Sequence, residues 1–326
     1  MSIHRKPAVL AVPLALALGL GLALAGCGDD AVPAAAGGKT PITVGVIPIV
    51  ETAAVYVAES KGYFDEAGLD VTIEPARTSS VIVPGVVSGT YDIGFSNLVT
   101  LLLADKQGLG LTAVAAGSAP VPGGTDDMAA IVSFDPAVKT AADLAGRKVG
   151  VNALNNIASV SLRASIRKAQ ADPDSVELVE LGFGEQAAAA QSGKIDAGYI
   201  VDPYLAIAKR DGAHVVTYPY LDVDPQVTIS AYVATSKTVN ESPEVVEHFK
   251  TALDRAAALL ASDPEALRSA VTDFAEIDPT LYPDLAGCGF PTSINRASVT
   301  KWADLMIADG LLDKAPNLDT LLRAGA

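Results

Sequence analysis

The stretch KVGVNALNNIAS, residues 148 to 159, decides the fold. Lys148 to Val151 reads as a buried strand, Asn152 to Asn156 as a tight polar turn, and from Ile157 the apolar positions Val160, Leu162 and Ile166 recur at roughly helical spacing. A strand that runs into an Asn-capped helix start leaves backbone N–H groups, here around Ile157, Ala158 and Ser159, facing whatever lies beyond the sheet's carboxyl edge. Such a junction is either a well-capped βα turn or a ligand seat. Three further junctions of the same construction bring the second reading forward.

Working outward, strands alternate with helices from residue 41 onward, which predicts parallel α/β sheets. Strands are expected at 42 to 47, 69 to 75, 91 to 95, 111 to 118, 128 to 134, 148 to 151, 175 to 181, 195 to 201, 213 to 218 and 227 to 235. After residue 235 the pattern is almost purely helical, over 243 to 261, 264 to 275, 295 to 309 and 316 to 323. A helix over 79 to 88 is expected to be broken by Pro84. The Pro/Gly cluster APVPGGT after Ser118 and the stretch LDVDPQ (221 to 226) read as crossovers between two α/β units. The expected fold class is therefore α/β, a two-lobed clamshell in which each lobe is a mainly parallel sheet flanked by helices. Residues 41 to 120 with 231 to 326 form the first lobe, and 121 to 230 the second.

The four junctions are Val50-Glu51-Thr52-Ala53, Ser96-Asn97-Leu98, Asn152 to Ser159, and Asp202-Pro203-Tyr204. Each follows a strand, so each belongs at the carboxyl end of a parallel sheet, where open α/β sheets bind ligands. With two on each lobe and the lobes facing, they converge on one cleft. Thr52, Ser96, Asn156 and Asp202 also read as plain helix caps, and Asp202 before Pro203 suits that reading best. Glu51 is different, because a carboxylate at a helix start is electrostatically satisfied yet free to accept from a ligand amine or hydroxyl. Phe183, Tyr204 and Tyr220 are candidate cleft walls or ordinary packing. Asp126 and Asp127 add a negative rim or are simply solvated. No Lys or Arg sits in the four turns, so an anion would rest on backbone N–H groups and hydroxyls, whereas an amine would face Glu51 or Asp202.

Composition narrows the classes further. The chain has 326 residues, half of them apolar. Arg5 and Lys6 precede the apolar run Pro7 to Ala25, which ends in Leu24-Ala25-Gly26-Cys27 and a polar segment. This has the layout of an export leader over 1 to 26 followed by a flexible tether over 27 to 40, although the run is long enough for a membrane-spanning anchor. Without Arg5 and Lys6, 21 basic residues face 38 acidic ones, a net charge of −17 that disfavours nucleic acid and anionic membranes as partners. His4, His214 and His248 are far apart, and two cysteines form no CxxC or metal-ligand spacing, so neither a metal site, a cofactor nor a His-based catalytic site is expected.

Two resemblances follow from residues already quoted. Leu24-Ala25-Gly26-Cys27 resembles the lipobox of bacterial lipoproteins, which implies lipidation of Cys27 and a place on the extracytoplasmic face of the cell membrane. The segments KGYFDEAGLDVTIEP (61 to 75), SGTYDIGFS (88 to 96), DLAGRKVGV (143 to 151) and SGKIDAGYIVDPY (192 to 204) resemble, as an ordered set, the periplasmic substrate-binding proteins of nitrate, sulfonate and taurine importers, a group that includes thiamine-pyrimidine binders. That resemblance implies a type II periplasmic binding protein fold. It also implies a monomer that closes on a small organic or oxyanionic solute and presents it to an ABC permease with its ATPase. It carries ligand contact onto Ile49, Glu51, Thr52 and Ala53; Ser96 and Asn97; Asn152, Asn155, Asn156, Ile157 and Ser159; and Asp202 and Tyr204. The turn at Ser96 departs from the Gly-Glu-Pro type of sulfonate binders. Pyrimidine-precursor synthases of the same fold carry a cysteine-rich cluster with no counterpart here, which implies a receptor and no enzyme; the alternative is an enzyme with Glu51 or Asp202 as acid or base. A surface interaction protein without a solute is the third class.

Overall fold

In the computed structural model, which describes residues 38 to 323 and 325 to 326, the chain enters its first sheet at β1 (Thr40–Val46), where Val44 and Val46 are fully buried. The expected leader over 1 to 26, Cys27 and nearly all of the expected tether over 27 to 40 lie outside the described residues. Nine strands follow: β2 (Leu69–Pro75), β3 (Ile93–Asn97), β4 (Leu111–Ala116), β5 (Ala129–Ser133), β6 (Lys148–Val151), β7 (Glu177–Glu180), β8 (Ala197–Val201), β9 (His214–Thr217) and β10 (Ser230–Thr235). They form two five-stranded sheets, ordered β2-β1-β3-β10-β4 and β7-β6-β8-β5-β9. β1 runs parallel to β2 and β3, and β6 parallel to β7 and β8. The reversed strand is β10 in one sheet and β5 in the other, each the first strand after the chain crosses between sheets. The two-lobed α/β architecture expected from the sequence is the one observed.

Helices cover the sheets, as parallel strands buried on both faces require. The helix Ser79–Ser88 lies so close to the first sheet that a Cβ on Gly94 would stand 2.5 Å from Ile82 Cγ2 and 2.6 Å from Val86 Cγ2. Pro84 sits inside that helix without ending it, against expectation. β3 starts two residues later than expected because Tyr91 lays its ring on Gly45 (2.8 Å to an added Cβ) and Asp92 accepts from Thr43 N–H at 2.8 Å.

The crossovers meet side by side. Gly117 N–H donates to Ser230 C=O (2.9 Å) and Ile229 N–H to Ser118 C=O (2.8 Å). A Cβ on Gly117 would stand 2.4 Å from Ser230 Oγ, so only glycine permits this approach. The second crossover opens with a helical turn, Pro219–Val223, that carries Tyr220. Trp302, on the helix Arg296–Ala308, is fully buried, donates to Thr228 C=O at 2.9 Å and meets Tyr220 edge-on at 6.4 Å. Among the described residues no helix is long and apolar enough to cross a membrane, no cluster of His, Cys, Asp and Glu suits a metal, and Cys288 is a buried free thiol.

Candidate functional site

The strand ends of both lobes face one another across a cleft with two levels. The outer level has a volume of about 670 Å³ and includes Arg77, Thr78 and Val81 from one lobe and Glu180, Phe183, Glu185 and Tyr204 from the other. Arg77 and Glu185 approach across it at 3.8 Å, both well exposed, which supplies little energy. Beneath lies an inner chamber of about 20 Å³, sharing Ile47, Ile49, Asn152 and Phe183 with the outer level. From the first lobe it is lined by Ile47, Ile49, Glu51, Ser79, Phe95 and Asn97. From the other side come Asn152, Asn156, Ile157, Ala158, Phe183, Tyr199, Val201 and Tyr220.

Glu51 dominates the electrostatics of the chamber. It opens the short helical turn Val50–Thr52 after β1 and is 4% exposed. Its Oε2 accepts from Ser118 Oγ at 2.6 Å, and Ser118 Oγ lies 2.6 Å from Ser230 Oγ, so hydroxyls from both crossovers feed one carboxyl. Burial pushes that carboxyl up to about 7 from an ordinary 4.5, against the lowering pull of the two hydroxyls. Among the described residues, no Lys, Arg or His lines the chamber.

The asparagines are arranged by capping. Asn97 Oδ1 accepts from Thr100 N–H (2.9 Å), and its amide donates to Ser79 Oγ (3.3 Å). Asn156 Oδ1 accepts from the N–H groups of Ala158 (3.0 Å) and Ser159 (3.4 Å), while its amide donates to Asn152 Oδ1 (2.9 Å). The amides expected to be free at this helix start are thus mostly satisfied from within, and Ser159 Oγ is occupied by the Asn156 backbone. That weakens the junction as an anion seat.

Of the residues named from sequence, Ile49, Glu51, Asn97, Asn152, Asn156 and Ile157 line the chamber, and Tyr204 lines the outer level. Thr52 turns inward, donating to the carbonyls of Ile47 (2.6 Å) and Ile49 (2.9 Å), and Ala53 is packed behind it. Ser96 is fully buried and donates to Asn97 C=O at 3.1 Å, and the capping role falls to Asn97. Asn155 takes a left-handed conformation (φ +53) on the exposed surface of the turn.

Asp202 is fully buried and lines neither level; its Oδ1 accepts from Ala206 N–H (3.0 Å) and its Oδ2 from Ala286 N–H (2.6 Å). Burial raises it to about 7, against those two backbone donors. Asp127 departs from the solvated-pair reading: Asp126 is exposed, but Asp127 is 1% exposed, accepts from its own neighbour Met128 N–H (2.8 Å) and leaves Oδ2 without a partner. Burial, abetted by Glu51, Asp126 and Asp202, lifts it to about 8.

Ile47, Ser79, Phe95, Tyr199 and Val201 were not singled out from sequence. Tyr199 and Val201 belong to β8 and face the chamber by strand alternation, a signal that was present once the strand was assigned. Ser79 is brought in by the helix at 79 to 88, and nothing in its local sequence marks it.

Comparison with known proteins bears on both fold and chemistry. The fold resembles the alkanesulfonate-binding protein SsuA of Xanthomonas axonopodis pv. citri, with a TM-score of 0.74 at 18% identity over 90% of this chain and 99% of that one. It equally resembles the periplasmic nitrate-binding protein NrtA of Synechocystis PCC 6803, with a TM-score of 0.75 at 11% identity over 87% and 86%. By sequence the chain is 23% identical over 248 residues to a 4-amino-5-hydroxymethyl-2-methylpyrimidine phosphate synthase of Saccharomyces cerevisiae, spanning 71% of this chain and 69% of that protein. A synthase of the same name in Candida albicans is 24% identical over 246 residues. The expectation of a non-enzyme, drawn from the missing cysteine cluster, is corrected by these relatives, which are named as enzymes. Residues 50 to 267 match the family described as NMT1/THI5 like, and with two thirds of its length so matched the chain belongs to the NMT1/THI5-like family.

Proposed function

We propose that the protein is a solute receptor that captures a small molecule between its lobes and hands it to a membrane importer. Capture works by hinge closure. A solute touching both lobes binds the closed arrangement better and shifts the population toward it by that difference. In this reading residues 41 to 120 with 231 to 326 move as one body and 121 to 230 as the other. Partnership with an ABC permease and its ATPase is supported by the fold neighbours, and anchoring through lipidated Cys27 on the extracytoplasmic membrane face by the composition of the first 27 residues; a monomeric state completes the reading.

The observation that carries the reading is the chamber itself: side chains from both lobes surround a buried carboxyl with no basic residue in the lining. Once the pH passes about 7 and Glu51 ionises, a sulfonate or nitrate in such a chamber faces a like charge with no cation in the lining to offset it. The chamber of about 20 Å³ has room for about one water, so a solute enters it only as the lobes part; one that presents N–H donors then meets an acceptor held in place by Ser118, near the rings of Phe95, Phe183 and Tyr220. Within the classes raised by the sequence, the chamber favours the pyrimidine-like one over the oxyanions.

Titration calorimetry of the chain with 4-amino-5-hydroxymethyl-2-methylpyrimidine, taurine and nitrate tests this. Binding of the aminopyrimidine with nitrate silent is expected. Nitrate binding with the aminopyrimidine silent overturns the chamber chemistry, and absence of any small-molecule shift in melting temperature across a metabolite panel overturns the receptor. The yeast relatives favour a second reading, a synthase-like enzyme, in which a solute incubated with the protein is recovered chemically altered.

A further inference from the structure

A third segment crosses the hinge beside the two crossovers. It leaves the helix Pro264–Ala275 at Glu276, which has a left-handed φ of +51°, and leads on toward the helix Arg296–Ala308. Both flanking helices reach the first lobe: the Phe274 ring stacks on Tyr56 at 4.2 Å, and Leu311 C=O, just past the helix Arg296–Ala308, accepts from Lys106 Nζ at 3.1 Å. Between them the segment reaches the other lobe at two places, Arg210 and Asp202, and lies along the first crossover at a third. Arg210, ending the helix Tyr204–Arg210, donates to Thr280 Oγ1 (2.8 Å) and to Thr280 C=O, and pairs with Asp284 at 2.9 Å. Ala286 N–H donates to Asp202 Oδ2 at 2.6 Å. Gly289 and Ala119 exchange both backbone hydrogen bonds, at 2.8 and 2.9 Å, which adds the segment as an edge to the first crossover.

The glycines show how closely it is fitted. A Cβ on Gly289 would stand 2.7 Å from Pro120 C=O, and one on Gly287 2.7 Å from Val121 Cγ2. Asp202 receives from both sides, because Val50 N–H of the first lobe donates to its C=O at 3.1 Å. One residue at the start of the helix 204 to 210 therefore holds the second lobe to the first by a backbone bond and to the segment by a buried carboxyl.

We propose that residues 278 to 289 are a clasp across the hinge, and that Asp202 and Arg210, as the points it grips, set how readily the lobes part. Opening swings the second lobe away from Val50, so the clasp must release Asp202 and Arg210 or resist the motion. Asp202 acts here as a positioning residue and need not touch a solute. The proposal does not rest on the receptor reading, because the grip is complete without any solute.

The test uses the full chain with Cys27→Ser, held in a mild detergent, and spin labels on cysteines placed at Val81 and Leu154, exposed residues on the two rims (54% and 46%); Cys288 is buried and stays unlabelled. Pulsed dipolar spectroscopy without solute reads the rim-to-rim distance. Arg210→Ala and Asp202→Asn are each expected to add a longer distance, raising the open-to-closed ratio roughly tenfold, with Arg210→Lys returning part of the closed population. Arg210 is partly exposed, so its alanine variant decides the matter even where Asp202→Asn fails to fold. A cooperatively folded Arg210→Ala protein with the parent's distance distribution overturns the clasp, and leaves the receptor reading to its own experiment.

Discussion

Replacing Glu51 by glutamine removes a charge from the chamber while keeping nearly the same shape. The carboxyl sits at about 7 against an ordinary 4.5. Ionising it in the folded chain therefore costs roughly 3 kcal/mol more than in the unfolded chain, at about 1.4 kcal/mol per tenfold in acidity. The sign follows from which state holds the proton. Below pH 4.5 both states are protonated and the folded chain keeps its full stability. Between 4.5 and 7 the unfolded chain has released a proton that the folded chain retains, so stability falls as pH rises, and above 7 it levels off at the lower value. Asp127 and Asp202 are raised too and push the same way, so the parent falls further than Glu51 alone dictates. Urea unfolding of parent and Glu51→Gln at several pH values isolates the one contribution. The stability of the variant relative to the parent is expected to grow by roughly 3 kcal/mol between pH 4.5 and 8. A constant difference across that range refutes the picture of a buried carboxyl held by hydroxyls with no counter-charge at the chamber floor.

Three further outcomes follow from named contacts. Asn152→Ala with Asn156→Ala removes the cap on the helix at Ile157 and is expected to cost about 1 to 2 kcal/mol in denaturant unfolding, yet to weaken solute binding by more than that; equal losses mean that the turn is only structural. Gly94→Ala drives a methyl into Ile82 and Val86 and is expected to lower stability by about 1 to 3 kcal/mol, read from the urea midpoint. Trp302, whose place in the helical tail makes it look remote in sequence, touches Tyr220 of the chamber wall, so its emission is expected to shift on solute binding; a spectrum unmoved at saturation contradicts that coupling.

Much of this was legible in the chain before folding. The β6 junction announced itself because Asn156 performs the capping role its residue type predicts, and β1, β6 and β8 were found from the run of apolar residues that a doubly buried strand requires. Glu51 stood out as an acid at a helix start. What the sequence could not show is where capping groups spend their hydrogen bonds. Asn156 consumes the amides it was expected to leave free, Thr52 turns back on its own carbonyls, and Asp202 points to a segment 84 residues later in the chain. Asp127 looked like half of a solvated pair because local sequence carries no signal that the chain becomes buried at that residue while Asp126 stays exposed. The segment over 278 to 289 was equally silent, since its hold on the hinge comes from long-range backbone contacts made by Ala286 and Gly289.

The central claim is that opposing lobes enclose one small guest around Glu51. Native mass spectrometry of the Cys27→Ser chain, taken gently from cells, addresses it most directly alongside an Ala158→Leu variant that crowds the floor of the cleft where the chamber of about 20 Å³ lies. One small molecule per parent chain is expected, displaced by added aminopyrimidine, with a bare mass for the variant. A parent that stays bare with every solute offered, or a variant that keeps the same guest, contradicts it.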